Sequence, residues 1–510
     1  VKIIWIHHGD YHVRVNIKTL IIAAFSLIAA ALITLSISVP STGIGGEIQS
    51  AWRSESNLQV DLNSNSVLYR QVISLALFIF VIGLVVVSPK HRYYAAFFSI
   101  AILAITATSP HSELIKSVDW RLILFLAGSM TLAYILRSLR VFEFILVKLI
   151  RVTKGSFTAV FAILMIMAWF LAMILDEATS IVYITMFIFE LARLGIRDIK
   201  PLIVLGVLAT NTGSLALPVG NPIGVYLAFT AKLTVRDFLV KALPLSALLL
   251  FLLIVISILL FKSYFEKCNM EIRSEAINIY SAHMMSKFAL SARKLQLGVL
   301  YMFAFLILVA SVDWIAQYLS LLIGGETDPH TLLAFIPYLI IALTPLAYNP
   351  EELEKAILTG VEWPSLLFFI ALFMLGDSLK YTGVTYKLAY AVTQITGVAV
   401  GRIAVTLLVF SAILSAFLDN LSVIVALTPV ARVYYTMTQS SVFYWVLLYG
   451  GVIGGNFTPI GSTANIVAWG LAERSKAKLS WGFWLKIALV LTLLQLIVTL
   501  TYAAFALRAG

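Results

Sequence analysis

Gly450-Gly-Val-Ile-Gly-Gly-Asn-Phe-Thr-Pro-Ile-Gly-Ser-Thr-Ala-Asn465 interrupts an apolar run that extends over 441–470. Five of the chain's 28 glycines lie between 450 and 461, so this stretch does not read as an ordinary helix. Irregular backbone at membrane depth is tolerated only where it is buried in protein or lines a wet cavity, because unpaired amides in lipid are costly. Glycine lets the chain turn without a side-chain clash, and proline removes one donor. A second stretch of the same kind, Asn211-Thr-Gly-Ser-Leu-Ala-Leu-Pro-Val-Gly-Asn-Pro222, stands earlier. Gly213-Ser-Leu-Ala-Leu-Pro218-Val219-Gly220 matches Gly454-Gly-Asn-Phe-Thr-Pro459-Ile460-Gly461 at an offset of 241. A lone glycine would read as a packing kink. Paired breaks rich in Asn, Ser and Thr read as a binding site, with freed carbonyls suited to a cation and half-helix N-termini to an anion.

The composition agrees with a membrane setting. The 510 residues are 61% apolar and 12% charged, with a mean hydropathy of +0.98. Soluble domains carry about 25% charged residues, so a soluble globule, a disordered chain and a nucleic-acid-binding domain are excluded. The single cysteine, Cys268, excludes an intramolecular disulfide and a thiolate metal site held by this chain alone. His7, His8, His12, His91, His111, His283 and His330 all fall in tails or polar connections, which leaves no histidine for a haem or metal inside the bilayer. There is no phosphate loop, so ATP is not the expected fuel.

A spanning helix needs about 20 mostly apolar residues. Such runs occur near 17–38, 69–88, 93–109, 121–137, 201–231, 243–262, 296–311, 331–347, 364–381, 441–470 and 482–507. The first has no Ala-x-Ala site following its apolar run and reads as a spanning helix rather than a cleaved signal. Two more runs, 155–192 and 400–436, carry polar residues at their centres. By the positive-inside rule, Lys90 and Arg92, the groups Arg137–Lys154 and Arg193–Lys200, and the connection 262–295 face the cytoplasm. The 39–68 and 312–330 connections read as external, with the N-terminus cytoplasmic and the C-terminus outside. Cationic clusters flank 155–192 on both sides, which predicts a re-entrant hairpin with Asp176-Glu177-Ala178-Thr179-Ser180 at its tip.

The hairpin also repeats. Val118-Asp119-Trp120 returns as Val361-Glu362-Trp363, Asp176 as Asp419, Thr179 as Ser422 and Thr185 as Thr428, all at an offset of 243. The expected fold class is therefore an all-α polytopic membrane protein with two repeats of about five helices. Each repeat has a re-entrant hairpin and a Gly/Pro-broken helix, and an extra N-terminal helix precedes them. An odd helix number inverts the second repeat relative to the first. The boundaries are 1–68 for the N-terminal helix and external loop, 69–262 for the first repeat, 263–295 for the connection and 296–510 for the second repeat. A carboxylate at the centre of a spanning helix costs roughly 2.5–3.5 kcal/mol, so Asp176, Glu177 and Asp419 each need a partner or a purpose. A helix cap is the plain alternative.

Phe417-Leu-Asp-Asn-Leu-Ser-Val-Ile-Val-Ala-Leu-Thr-Pro429, Gly454–Asn465 and Ser480-Trp-Gly-Phe-Trp484 together resemble the ion transporter superfamily. It includes arsenite permeases, one type of sodium–proton antiporter, melanosomal P-type permeases, and citrate or dicarboxylate transporters. The motif style is closest to the arsenite and P-type permeases, and the likeness covers the chain from about residue 69. The resemblance implies that the two tips and two breaks form the substrate and sodium sites. Carried over, these are Asp176, Glu177, Thr179, Ser180, Asn211, Thr212, Ser214, Asn221, Asp419, Asn420, Ser422, Asn456, Thr458, Ser462, Thr463 and Asn465. The backbone breaks are Gly213, Pro218, Gly220, Pro222, Gly454, Gly455, Pro459 and Gly461. Na+ would sit at Asp176/Thr179 and at Asp419/Asn420/Ser422. Two departures stand in the first half: Glu177 follows Asp176 where Asn is frequent, and Gly224 stands opposite Asn465.

The expected function is a secondary active transporter in the cell membrane, not an enzyme, working by an elevator or rocking motion. The favoured form is a cation-coupled permease for a small anion or metalloid oxyanion of the arsenite, citrate or dicarboxylate type. A sodium–proton antiporter using Asp176 and Asp419 is the alternative, and an ion channel the alternative from another class. No cofactor or structural metal is expected beyond a transported or coupling Na+ or H+. The expected partners are the lipid bilayer, the anion and its coupling cation. The resemblance also admits a homodimer and, for an arsenite-type protein, an ATPase partner.

Overall fold

The computed structural model describes residues 3–8, 11–87, 92–151, 153, 156–271, 282, 292–344, 350–475 and 477–506. Lys90, Lys154 and most of the 263–295 connection, Arg273 and Lys287 included, lie outside these residues. A short antiparallel hairpin, β1 (Ile3–His8) and β2 (Tyr11–Asn16), precedes the helices.

The rest of the described chain is helical, as lipid demands of a backbone that must satisfy its own hydrogen bonds. It opens with α1 (Ile17–Ser36) and α2 (Gly43–Ser56). The first half continues with α3 (Asn65–Val87), α4 (Arg92–Ile105), α5 (His111–Lys116), α6 (Trp120–Ser138), α7 (Val141–Arg151), α8 (Phe157–Ile174), α9 (Glu177–Arg193), α10 (Lys200–Ser214), α11 (Pro222–Thr230) and α12 (Leu243–Leu260). After α13 (Lys262–Glu271) the second half holds α14 (Ala292–Ile323), α15 (Pro329–Ala342), α16 (Pro350–Gly360), α17 (Trp363–Tyr381), α18 (Val384–Thr396), α19 (Val400–Ser415), α20 (Asn420–Thr438), α21 (Val442–Gly454), α22 (Thr463–Glu473) and α23 (Trp481–Ala506). The helices α14–α23 run in an order like that of α3–α12, except that the short turns Val235–Asp237 and Phe238–Ala242 precede α12 alone. Among the described residues nine helices are long and apolar enough to cross a membrane, or ten if α18 and α19, bent by 113°, form one span. The chain is a multi-pass membrane protein.

Both long interrupted runs split at their polar centres, between α8 and α9 and between α19 and α20, and both Gly/Pro breaks separate helices, α10 from α11 and α21 from α22. Two connections need correction. The 39–68 segment holds α2, whose buried residues Gly45, Ile48, Gln49, Trp52 and Ser56 follow a helical period that low hydropathy concealed. The 312–330 segment is helical to Ile323, where Gly324 at φ +70° ends α14. His330 also departs from expectation, being buried on the first turn of α15.

The compact units cut across the sequence halves. One comprises Val1–Asp119, Trp363–Leu407 and Ser422–Leu447; the other comprises Trp120–Glu362, Leu408–Leu421 and Leu448–Gly510. In the first unit α17, from the second half, packs on α3 and α4 of the first. Here Lys387 of α18 is buried and its Nζ donates to Thr34 O of α1 at 2.8 Å. In the second unit the exchange is mirrored, with α6 of the first half packing on α14 and α15. At this end Asp328 caps α15 and accepts from Arg121 at 2.8 Å. Burial would raise the Asp328 carboxyl, but hydrogen bonds from Thr331 and His330 outweigh it and pull it down to about 2.

Candidate functional site

The site lies in the second unit, where α22 packs on α9 and α10. Each break in it has a local cause. Asp176 ends α8 and caps α9, its Oδ1 accepting from the Thr179 backbone N–H at 2.8 Å. Asn221 caps α11 by accepting from Gly224 N at 2.5 Å, and Pro222 follows at the first helical position. Ser462, the residue 241 positions on, caps α22 by accepting from Asn465 N at 3.3 Å.

Glycines let the breaks close on their neighbours. A Cβ on Gly213 would overlap the Trp169 backbone, and one on Gly454 would overlap the Ala412 backbone. Added to Gly220, it would lie 2.7 Å from Ala172 O and 2.8 Å from Ser214 O; added to Gly461, it would overlap Gly455 O and lie 2.9 Å from Ser415 O. These pairs are equivalent residues of the two halves, so both breaks use the same backbone approach. Gly455 is packed against the Asn420 carboxamide. Pro218 opens a single 3-10 turn, Pro218–Gly220.

A buried amide network joins the breaks. Asn211 Nδ2 donates to Asn456 Oδ1 at 2.7 Å and to Asn465 Oδ1 at 2.9 Å. Ser462 Oγ lies 3.1 Å from Asn211 Oδ1 and 2.6 Å from Asn465 Oδ1. Asn465 Nδ2 donates to Gly455 O and Thr458 O at 2.7 and 2.6 Å. Asn456 donates to Gln495 Oε1 at 3.2 Å, and Gln495 donates to Thr212 Oγ1 at 2.9 Å. Ser246 donates to Thr212 O and accepts from Trp169 Nε1. Thr458 donates to Ala416 O.

The acidic tip is different in kind. Glu177 is buried, its carboxylate faces the Ser214 hydroxyl and the Thr463 backbone N–H, and Asp176 and Asp419 lie within electrostatic range. Its Oε2 has no hydrogen-bond partner among the described residues, nor do Ser180 Oγ and Asn420 Nδ2. Asn420 Oδ1 accepts from Ser415 Oγ, which also lies 2.6 Å from Gly451 O. Among the described residues no group of three or more His, Cys, Asp or Glu side chains is placed to hold one metal ion. Thus all four motifs contribute to one neighbourhood. Pro459 sits within the second break, and Ser422 is buried on α20. Sequence reasoning missed Gln495, Ser246, Trp169 and Ser415. Gln495 was detectable as a lone carboxamide inside the apolar 482–507 run.

Comparison with known proteins shows the family of the chain. The citrate transporter family model matches residues 78–401 and 336–509. An uncharacterised transporter of Mycobacterium tuberculosis is 31% identical over 385 residues, covering 73% of this chain and 83% of the relative. One from Synechocystis is 23% identical over 456 residues, covering 85% and 96%. The P protein of Homo sapiens is 24% identical over 462 residues, covering 77% of this chain and 55% of its own length. By this match over most of its length the chain belongs to the citrate transporter family and is a membrane transporter, not an enzyme.

Proposed function

We propose that this transporter is secondary active and moves a small di- or tricarboxylate together with a coupling cation, through the neighbourhood of the two tips and two breaks. The observation that carries this reading is the buried Glu177 carboxylate, with one oxygen unpartnered and two further carboxylates nearby. A buried anion is stable only if it is paired or neutralised. Among the described residues no Lys or Arg forms an ion pair with Glu177 or Asp176, so a mobile cation is the natural partner. The N-terminus of α22, capped by Ser462, suits the substrate carboxylate. Among the described residues no three carboxylates are placed to share an ion, and the reading assigns the two tips to separate cations, at Asp176/Thr179 and at Asp419/Asn420. The halves are then inverted repeats, and movement of the hairpins with the broken helices gives alternating access. The N-terminus is cytoplasmic and the C-terminus external.

Proteoliposome uptake of citrate, succinate and arsenite under imposed Na+ or H+ gradients tests this. Carboxylate accumulation that requires one gradient is expected. The cluster of three carboxylates favours a second reading, sodium–proton antiport, for which Na+-driven proton movement would need no anion. Steady currents far above carrier turnover would indicate a channel and contradict both.

A further inference from the structure

Away from the transport motifs, within the first unit, one carboxylate collects three donors from three helices. Glu55 of α2 lies 3.0 Å from Lys380 Nζ at the end of α17 and 3.0 Å from Arg432 Nη2 on α20. Its other oxygen accepts from the Tyr386 hydroxyl on α18. Burial would raise the Glu55 carboxyl, but the Tyr386 hydrogen bond and the two cations outweigh it and hold it below the ordinary carboxylate value. Asp377, one turn before Lys380, also lies within electrostatic reach of both cations. Asp377 also faces Glu113, so Glu55 is the carboxylate bonded directly to both cations.

α2 lies outside the repeated halves, and its seat does not depend on Glu55. Trp52 Nε1 donates to Tyr381 O at 3.0 Å, and the indole packs against Gly383 (φ +85°), where a Cβ would overlap Leu62 and lie 3.1 Å from the indole. Gln71 donates to Leu62 O and Thr382 O at 3.0 and 3.1 Å. Glu55 can thus swing away without unseating the helix. Arg432 is 47% exposed, so solvent reaches its guanidinium.

We infer that Lys380, Tyr386 and Arg432 form a second carboxylate-binding site, separate from the transport motifs, in which Glu55 is a tethered occupant that a free polycarboxylate can replace. A guanidinium and an ammonium on one carboxylate make short, charge-assisted hydrogen bonds. Removing their anion leaves two cations undercompensated, which favours capture of another. A tethered group competes at an effective concentration of millimolar order or above, so free ligand binds wild type weakly and a Glu55→Gln variant well. The inference does not rest on the proposed transport reading.

The test uses full-length protein in nanodiscs and reads phenylglyoxal modification of Arg432 by peptide mass spectrometry, with citrate as the probe. Arg432 should react slowly in wild type and faster in Glu55→Gln. Millimolar citrate should slow the reaction of Glu55→Gln about tenfold, by excluding the reagent as the tethered carboxylate did, while chloride at matched ionic strength does not. Adding Lys380→Gln to Glu55→Gln should remove the citrate protection. If Arg432 in Glu55→Gln is insensitive to citrate, or chloride protects equally, the site does not exist. Citrate protection that survives Lys380→Gln would place the ligand elsewhere and overturn the assignment. The transport motifs are unaltered throughout, so failure here leaves their reading standing.

Discussion

The two broken helices share a backbone solution and differ in where they keep their carboxamide. In the first half Asn221 is the cap, and its Nδ2 donates to Ser214 O at 2.8 Å. In the second half Ser462 is the cap, and Asn465, three residues on, donates to Gly455 O, the equivalent of Ser214 O. The carboxamide has moved by one helical turn while bonding the same carbonyl. That move accounts for Gly224, where a Cβ would lie 2.9 Å from Pro218 O. It also frees Asn465 Oδ1 to accept from Asn211 of the other half at 2.9 Å. The tips differ in the opposite sense. The second has a neutral Asn420 held by Ser415, whereas the first has Glu177 with Ala172 at the position equivalent to Ser415. One half supplies amide bridges, the other an underpartnered charge. The two breaks thus share a backbone arrangement and carry chemically unlike side chains.

If the backbone is common to both halves, Gly213→Val and Gly454→Val should be equally destructive. Each side chain would enter a neighbouring backbone, and overpacking of even well-placed cores costs about 1–3 kcal/mol. Loss of monodisperse protein in size-exclusion chromatography is expected for both; tolerance of one alone would break the equivalence. Asn465→Ala comes next. It strands Gly455 O and Thr458 O and removes an acceptor from Asn211, so thermal unfolding in detergent should show a loss of about 1–3 kcal/mol. Ser415→Ala should cost less, about 1 kcal/mol, because the first half already carries Ala172 there. A larger loss would mean that the tips are not interchangeable in packing. The smallest effect belongs to Asp328, which lies in neither break. Its carboxyl is lowered from 3.8 to about 2, so its contribution is full above 3.8 and is lost as pH falls toward 2. The melting difference between wild type and Asp328→Asn should shrink over that window and stay constant above it.

Most of the spanning runs, the polar centres of the two interrupted runs and both breaks were legible because hydropathy and polar interruptions act over the length of a helix. The runs near 93–109, 331–347 and 441–470 form helices too short for a full span, and Phe157–Ile174 and Asn420–Thr438, read as hairpin arms, are long and apolar enough to cross. Helix α2 was not, since its one buried face is diluted by Arg53, Glu55 and several serines. The extension of α14 was hidden by Ser311, Asp313, Gln317 and Ser320, which lower hydropathy without ending a helix. The exchange of α6 and α17 between halves leaves no local mark, because it is decided by packing between residues hundreds of positions apart. In the site, the repeat register located every motif, but which asparagine bonds which carbonyl depends on a one-turn displacement that residue types alone do not reveal.

Glu177 carries the unlike chemistry, and Glu177→Gln removes its charge while keeping its shape. In proteoliposomes, with the carboxylate that the uptake screen returns, gradient-driven accumulation should fall at least about a hundredfold, equivalent to ~3 kcal/mol of lost coupling, while equilibrium exchange of the labelled anion continues. Accumulation that remains gradient-dependent at the wild-type rate would contradict the assignment of the coupling cation to this tip.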